Sequence, residues 1–121
     1  MRLHHVNVVV PPGGTGAVVP FYEGILGMTR IAKPAEGVAA EGAWFDIAAG
    51  AQLHVSERAG DRHPDPHFGV VVDDFTGVLN RLRQTGATWT EQADFFGGRR
   101  GFTRDPAGNR VELLERAGEL A

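Results

Sequence analysis

The chain repeats itself, and this repeat limits what it can fold into more than any other feature of the sequence. Two pairs of segments match along the chain: 5–10 (HVNVVV) with 67–72 (HFGVVV), and 52–57 (QLHVSE) with 110–115 (RVELLE). Internal repeats normally reproduce packing positions. Here the repeat also reproduces ionisable side chains, so it predicts two equivalent modules that supply ligands to a common centre.

Each half of the chain shows the same order of secondary-structure signals. Apolar and alternating segments, broken by Gly and Pro, predict the order β-α-β-β-β twice, in modules at 1–58 and 66–117. Pro20 interrupts the first helical pattern, so that helix is expected to start late or to kink there. Asp74 is a predicted N-cap of the second helix, and Gly86 its predicted end. The predicted fold class is therefore α+β.

Strand alternation places the repeated ionisable residues on one face of each sheet, because successive side chains of a strand point to opposite faces. The more polar face of four strands then carries one candidate ligand each: His5, His54, His67 and Glu112. Imidazole and carboxylate donors without thiolate suit Zn, Ni, Co, Fe(II) or Mn. We therefore predict one divalent-metal site, and we expect His4 to point to the opposite face from His5.

Composition narrows the class of protein further. A chain of 121 residues suits a single domain, 1–121, with a real core. The net charge of −3 gives no reason to expect a nucleic-acid partner. The absence of Cys excludes disulfides and thiolate sites and suits a reducing cytoplasm. Without a secretion signal or a long apolar run, we expect a cytoplasmic protein that does not cross a membrane.

These motifs resemble the vicinal oxygen chelate superfamily, also called the glyoxalase / bleomycin resistance / extradiol dioxygenase family. The resemblance is carried by the two His-led strands, by 42–45 (GAWF) and above all by 105–113 (DPAGNRVEL). It implies paired βαβββ modules that form an open, curved mixed sheet with helices on its outer face. It also implies a homodimer with sites shared between chains, and a divalent metal ion held by His5, His67 and Glu112.

A fourth ligand position of the family falls on His54. Glyoxalase I and the methylmalonyl-CoA epimerases have Glu or Gln at that position, so this chain resembles their four-ligand branch but replaces an oxygen donor with nitrogen. Glu112 is then the one metal-bound carboxylate left to move a proton. We expect Glu112 to be the catalytic residue.

Three functions stay open for a chain of this kind. The first is a metal-dependent lyase or isomerase for a small substrate that chelates through adjacent oxygens, by way of an enediolate-type intermediate. The second is an Fe(II) extradiol-type dioxygenase, ranked lower because His54 would fill a position that oxygen needs. The third is a metal-free binding protein of the bleomycin-resistance type.

Four further residues are candidate substrate contacts. Arg99 and Arg100 alternate faces, so one of them should face the cleft, where it can bind an anionic group. Trp44 and Phe96 are candidate aromatic contacts. The alternative for Trp44 is a core position, with Phe45 as its outward neighbour.

Overall fold

The computed structural model describes residues 4–34, 39–48, 50–60, 66–94 and 97–116. The chain divides into two compact units, Met1–His63 and Pro64–Ala121. Each unit carries the order β-α-β-β-β, so the predicted α+β class is confirmed. No helix formed by the described residues is both long and apolar enough to span a lipid bilayer.

The first unit is a four-stranded mixed sheet with a short helix. Its elements are β1 (His5–Val10), α1 (Thr15–Val19), a π-helical turn (Pro20–Ile25), β2 (Thr29–Ile31), β3 (Ala43–Ala48) and β4 (Ala51–Glu57). The strand order is β1-β4-β3-β2, and only the β1–β4 pairing is parallel. The first and last strands of the unit are therefore neighbours, which brings the two candidate ligands of this half onto adjacent strands.

The first helix changes its winding at Pro20 instead of starting late. Proline has no N–H to donate to the carbonyl four residues earlier, so the α-helical ladder cannot continue through it. The following turn is wider. The N–H of Leu26 donates to the carbonyl of Phe21, five residues earlier, at 3.1 Å, an ordinary hydrogen-bond distance. The predicted disturbance at Pro20 is thus confirmed as a π-helical turn.

The second unit repeats the plan with a longer helix. Its elements are β5 (His67–Val71), α2 (Phe75–Thr85), β6 (Thr90–Gln92), β7 (Arg100–Arg104) and β8 (Arg110–Leu114). The strand order is β5-β8-β7-β6, with β5 and β8 parallel. Asp74 caps α2 by accepting a hydrogen bond from Gly77 N at 3.1 Å, and Gly86 ends it with φ of 72°. Both predicted helix signals are confirmed.

Two strands are shorter than predicted. The sequence pattern predicts strands at 28–33 and 88–92, whereas β2 and β6 cover three residues each. Both are edge strands, and each pairs with a single neighbour over those three residues. The other three strands of each sheet fall on apolar or alternating segments of the sequence.

Each sheet buries one face and leaves the other more polar. The buried residues of the strands include Val8, Val10, Leu53, Val55, Val70, Val111 and Leu113. Along α2 the apolar stripe Val78, Leu79 and Leu82 is buried as well. The helix therefore covers the apolar sheet face, and the opposite face is the one that carries the candidate ligands.

Candidate metal centre

The two halves of the candidate centre are built on the same strand register. His54 on β4 is paired with Asn7 on β1, and Glu112 on β8 is paired with Gly69 on β5. Both partners lie two residues after the histidine that opens the strand. The repeat seen in the sequence is therefore also a repeat of backbone position, and His54 and Glu112 are equivalent residues of the two modules.

In the first unit, three rings stack across three neighbouring strands. The rings of Trp44 and His54 are parallel within 3°, with centroids 3.8 Å apart. On the other side of His54, the ring of His5 lies 4.1 Å away at 16°. His54 Nε2 is 2.9 Å from Gln52 Oε1, so this nitrogen already has a hydrogen-bond partner. His54 is buried, with 8% of its surface exposed.

This stack bears on how many ligands the first unit supplies. The lone pair of an imidazole nitrogen lies in the plane of its ring. An ion bound in the plane of His5 is therefore outside the parallel plane of His54, so the two stacked rings cannot both bind it in this arrangement. Burial, and then the nearby His5 and His4 rings, lower the pKa of His54. A neutral His54 suits its place between two aromatic rings.

His4 does not point away from His5, contrary to the expectation from strand alternation. The Nδ1 atoms of the two residues are 2.9 Å apart, and their rings meet edge-on at 84°. The reason is that β1 begins at His5, so His4 precedes the strand and its alternation does not apply. A contact at Nδ1 is the kind of second interaction that orients an imidazole whose Nε2 binds a metal.

In the second unit, Glu112 joins His67 and Arg100. Arg100 Nη1 donates to Glu112 Oε1 at 2.9 Å, and His67 Nε2 lies 3.4 Å from Glu112 Oε2. The Glu112 side chain is 13% exposed, and that of His67 is 36% exposed. Gly69 stands opposite Glu112, and a Cβ there would lie 3.2 Å from a methyl of Leu114. A Cβ there would be 3.6 Å from Glu112 Oε2, an ordinary contact, so the glycine relieves crowding against Leu114 and not against the carboxylate.

The spacing of His67 and Glu112 fits two ligands of one divalent ion. With metal–donor bonds of about 2.0–2.2 Å, neighbouring donor atoms in a tetrahedral or octahedral site are about 3–3.5 Å apart. The observed 3.4 Å between Nε2 and Oε2 falls in that range. Among the described residues of either unit alone, no three His, Asp or Glu side chains are grouped closely enough to hold an ion.

The two adjacent arginines make different contacts, and only Arg100 belongs to β7, because Arg99 precedes the strand. Arg100 contacts Glu112, whereas Arg99 pairs with Glu91 and lies 5.2 Å from the centre of the Phe75 ring of α2. Arg99 is thus on the helix side of the sheet. Strand alternation alone does not reveal that Arg100 holds the carboxylate of Glu112, or that Phe102 meets the ring of His67 edge-on at 5.1 Å. Both follow from the β7–β8 register, in which Phe102 is paired with Glu112.

The aromatic candidates are placed differently from each other. Phe45 is fully buried and Trp44 lies on the face of His54, so the alternative of a core Trp44 with Phe45 outward is wrong. The β3–β4 register sets this, because it pairs Trp44 with His54. Phe96 lies outside the described residues.

The family of the chain follows from its sequence. The model of the Glyoxalase/Bleomycin resistance protein/Dioxygenase superfamily matches residues 2–113. The chain belongs to this superfamily. No curated protein sequence matches it. Proteins of this superfamily commonly use a divalent metal ion and bind small molecules.

Solved structures agree with this family. A glyoxalase family protein from Bacillus anthracis is 25% identical, with a TM-score of 0.85 over 96% of this chain and 95% of that one. Oxidase ChaP-H2 is 24% identical, with a TM-score of 0.78 over 98% and 95%. A lactoylglutathione lyase from Agrobacterium tumefaciens is 19% identical, with a TM-score of 0.69 over 93% and 92%. At 24% and 19% identity, the last two similarities show a shared fold and nothing further.

Proposed function

We propose that this superfamily member is a divalent-metal-dependent enzyme for a small substrate that presents adjacent oxygen atoms. His5, His67 and Glu112 are the proposed ligands. The observation that carries the proposal is the pair of donor atoms in the second unit, His67 Nε2 and Glu112 Oε2, 3.4 Å apart. A bound Zn, Ni, Co, Fe(II) or Mn ion supplies Lewis acidity toward a substrate oxygen.

In this proposal His54 supports the site without binding the ion. Its ring is held between Trp44 and His5, and its Nε2 faces Gln52. Stacking against His54 limits the rotamers of His5, which presents that imidazole in one orientation. The proposed ligand set therefore has two imidazoles and one carboxylate, and it is smaller than the four-ligand set expected from the sequence.

Glu112 is the proposed catalytic residue in a lyase or isomerase reaction. Arg100 holds Oε1. Oε2, the oxygen that would bind the ion, would therefore have to loosen from it to take or return a substrate proton. Such proton transfer requires the carboxylate within hydrogen-bond reach of the reacting carbon or oxygen. Arg100 then acts as a positioning residue, because it fixes which carboxylate oxygen reaches the substrate.

An oxidative reaction is the second candidate, and the stack around His54 favours it. Two histidines and one carboxylate leave open positions for substrate and oxygen at a non-haem Fe(II) ion. The objection raised by a fourth ligand is weaker when His54 stacks on His5. Reconstitution with Fe(II) under anaerobic conditions, followed by oxygen uptake with catechols, separates the two reactions. Cleavage of the catechol ring supports the oxidative reaction. Turnover of a substrate without oxygen uptake and without ring cleavage supports the lyase or isomerase reaction.

Metal analysis of the full chain, purified without chelator, tests the proposal itself. We expect about one divalent ion per chain, in keeping with one proposed ligand set per chain. Protein that is metal-free and cannot be loaded with any of the five metals would contradict the proposal. That result would favour a ligand-sequestering protein of the bleomycin-resistance type, with Trp44 on the binding face.

We further propose a homodimer in which each site takes His5 from one chain and His67 and Glu112 from the other. In support, the described residues of neither unit alone supply three ligands. Mixing His5→Ala with Glu112→Gln chains tests the sharing. In a mixed dimer with shared sites, one site has all three ligands, so about a quarter of the sites of a fully exchanged 1:1 mixture bind metal. If sites lie within single chains, the mixture binds none.

A further inference from the structure

A cavity of about 310 Å³ in the second unit is lined by residues of β6, β7 and β8. Phe102 and Arg110 line it, together with Arg104, Thr90 and Gln92. Phe102 is the cross-strand partner of Glu112 and the edge-on neighbour of His67. The cavity is therefore on the same sheet face as these candidate ligands, a short distance along β7 and β8.

The two arginines of this cavity are held in place without being neutralised. The guanidinium of Arg110 lies 3.7 Å from the centre of the Phe102 ring, and Arg104 Nη1 donates to the carbonyl of Gly108 at 3.0 Å. Within the described part of the second unit, neither has a carboxylate at ion-pair distance. The carboxylate of Asp105, between them in sequence, accepts hydrogen bonds from the backbone N–H groups of Ala107 and Asn109.

We propose that this cavity binds an anionic group of the substrate, a carboxylate or a phosphate, through Arg110 with Arg104 at its side. Stacking on Phe102 fixes the planar guanidinium, and a fixed guanidinium matches an anion with two parallel hydrogen bonds. Thr90 and Gln92 add neutral polar groups to the wall. This inference rests on the proposed function, because it takes the anionic group to be part of the substrate that binds the metal ion.

The spacing along β8 limits the shape of that substrate. Arg110 precedes Glu112 by two residues on one face of the strand, which is about 7 Å along an extended chain. A molecule with its chelating oxygens near Glu112 and its anionic group near Arg110 then spans roughly one aromatic ring. Ligand sites in proteins start at about 300 Å³, so the cavity is large enough for one ring with its charged substituent.

Binding to the metal-free full chain tests the cavity separately from the metal. Calorimetric titrations use benzoate, phenyl phosphate and benzamide as probes. We expect one or both anions to bind at least about tenfold more tightly than benzamide, because only they engage Arg110 with charge-assisted hydrogen bonds. The better anion identifies the group. Equal affinity for benzamide, or no binding of either anion, would overturn the proposal.

Variants then locate the binding. Arg110→Gln should weaken binding of the anion about tenfold or more, and Arg110→Lys should give an intermediate loss because it keeps the charge but not the paired donors. Arg83→Gln, at the exposed end of α2, is the matched control for loss of one positive charge. An equal loss in Arg83→Gln and Arg110→Gln would overturn the proposal.

Folding and metal binding are measured on the same variants. Thermal unfolding verifies that each Arg110 variant is folded. If Arg110→Gln does not fold, Arg104→Gln provides the second test. Because the probes bind without metal, a chain that binds benzoate but no metal would refute the proposed function and keep the anion site. A chain that binds metal but no anion would do the reverse.

Discussion

The two modules share one backbone plan but surround their equivalent ionisable residues differently. His54 and Glu112 occupy the same register position of the two sheets. His54 lies in an aromatic stack between Trp44 and His5, whereas Glu112 lies in an ion-pair cluster with Arg100 and His67. A repeated position therefore does not imply a repeated role.

The difference has a simple physical origin in the residues beside each position. Phe102 is the cross-strand partner of Glu112, and its ring contacts His67 while the carboxylate contacts Arg100 and His67. Opposite His54 stands Trp44, whose flat ring captures the imidazole by stacking. Under the proposed function, the first module would supply one ligand supported by stacking, and the second would supply two donor atoms, which lie 3.4 Å apart.

The largest expected effect comes from removing the carboxylate of Glu112. Glu112→Gln replaces the proposed anionic ligand with a neutral amide. We expect the affinity for a divalent metal ion to fall by at least about a hundredfold, which is more than the usual loss when a supporting residue is removed. His54→Gln, at the equivalent position, should lower affinity only about tenfold, at the low end of the loss for a supporting residue. Calorimetric titration with Zn or Co measures both. Glu115→Gln, exposed and just past the end of β8, is the charge control.

Equal losses in Glu112→Gln and His54→Gln would remove the contrast between the modules. His54 would then be a fourth ligand, as the family resemblance first suggested, and its ring would have to leave the stack with His5. The comparison would be sharpened instead by Trp44→Ala. In that variant the support from stacking is lost while every proposed ligand remains, so metal affinity should fall as in His54→Gln.

A second contrast lies in the two hairpins. The β3–β4 connection closes at Gly50, with φ of 84°, whereas the β7–β8 connection is a loop organised by Asp105. Asp105 is 4% exposed and accepts hydrogen bonds from Ala107 N, Asn109 N and Asn109 Nδ2 at 2.8–2.9 Å. Asp105→Ala should lower the free energy of unfolding by about 2–3 kcal/mol, because these donors lose their charged acceptor.

Urea unfolding of Asp105→Ala and of Asp94→Ala measures this effect. Asp94 is exposed and supplies the same change of charge without an anchored loop. A difference of less than about 0.5 kcal/mol between the two variants, the usual range for surface substitutions, would show that the loop does not need Asp105.

Much of the fold could be predicted from the sequence, because the strands of each module carry a clear alternation. The His-led strands, the N-cap at Asp74 and the helix end at Gly86 each depend on local signals. The orientation of β3 could not be predicted in the same way. Trp44 and Phe45 are both apolar, so alternation has no preferred phase there, and the register with β4 decides it.

The contacts within the candidate site were harder to predict than the positions of its residues. Which side chains share a face follows from spacing along a strand. Whether Arg100 reaches Glu112, or His54 stacks on Trp44, depends on pairing between strands that are distant in sequence. The sequence therefore suggests the donor residues well but says little about which of them has another partner.

The start of the helix is a third contrast between the modules, with a smaller expected effect. Asp74 caps α2 through its own side chain, which accepts from Gly77 N. Asp74→Ala should lower the free energy of unfolding by about 1 kcal/mol, the usual value for loss of an N-cap. Asp73→Ala removes the same charge one residue earlier, outside the cap, and serves as the control in thermal or urea unfolding. Equal destabilisation by both variants would assign the effect to charge and not to capping.

The smallest expected effect concerns Glu57, which performs the corresponding task for α1 from the end of β4. The N-cap residue of α1 is Gly14, which has no side chain with which to cap the helix. Instead, Thr15 Oγ1 donates to Glu57 Oε2 at 2.6 Å, and Gly13 N donates to Oε1 at 2.7 Å. The Thr15 hydroxyl, followed by the Gly13 N–H, lowers the pKa of Glu57 below its ordinary value of 4.5.

The pH dependence follows from the sign of that shift. A carboxylate with a lower pKa in the folded state adds stability above its unfolded pKa, and this stability is lost as the pH falls through the folded pKa. The difference in unfolding free energy between the natural chain and Glu57→Gln should therefore be largest near neutral pH and shrink below about pH 4.5. Glu41→Gln, at an exposed position, should show no such trend. Because Glu57 is only partly buried, the effect is small. A difference that grows in acid would mean that the first helix is held by something other than this carboxylate.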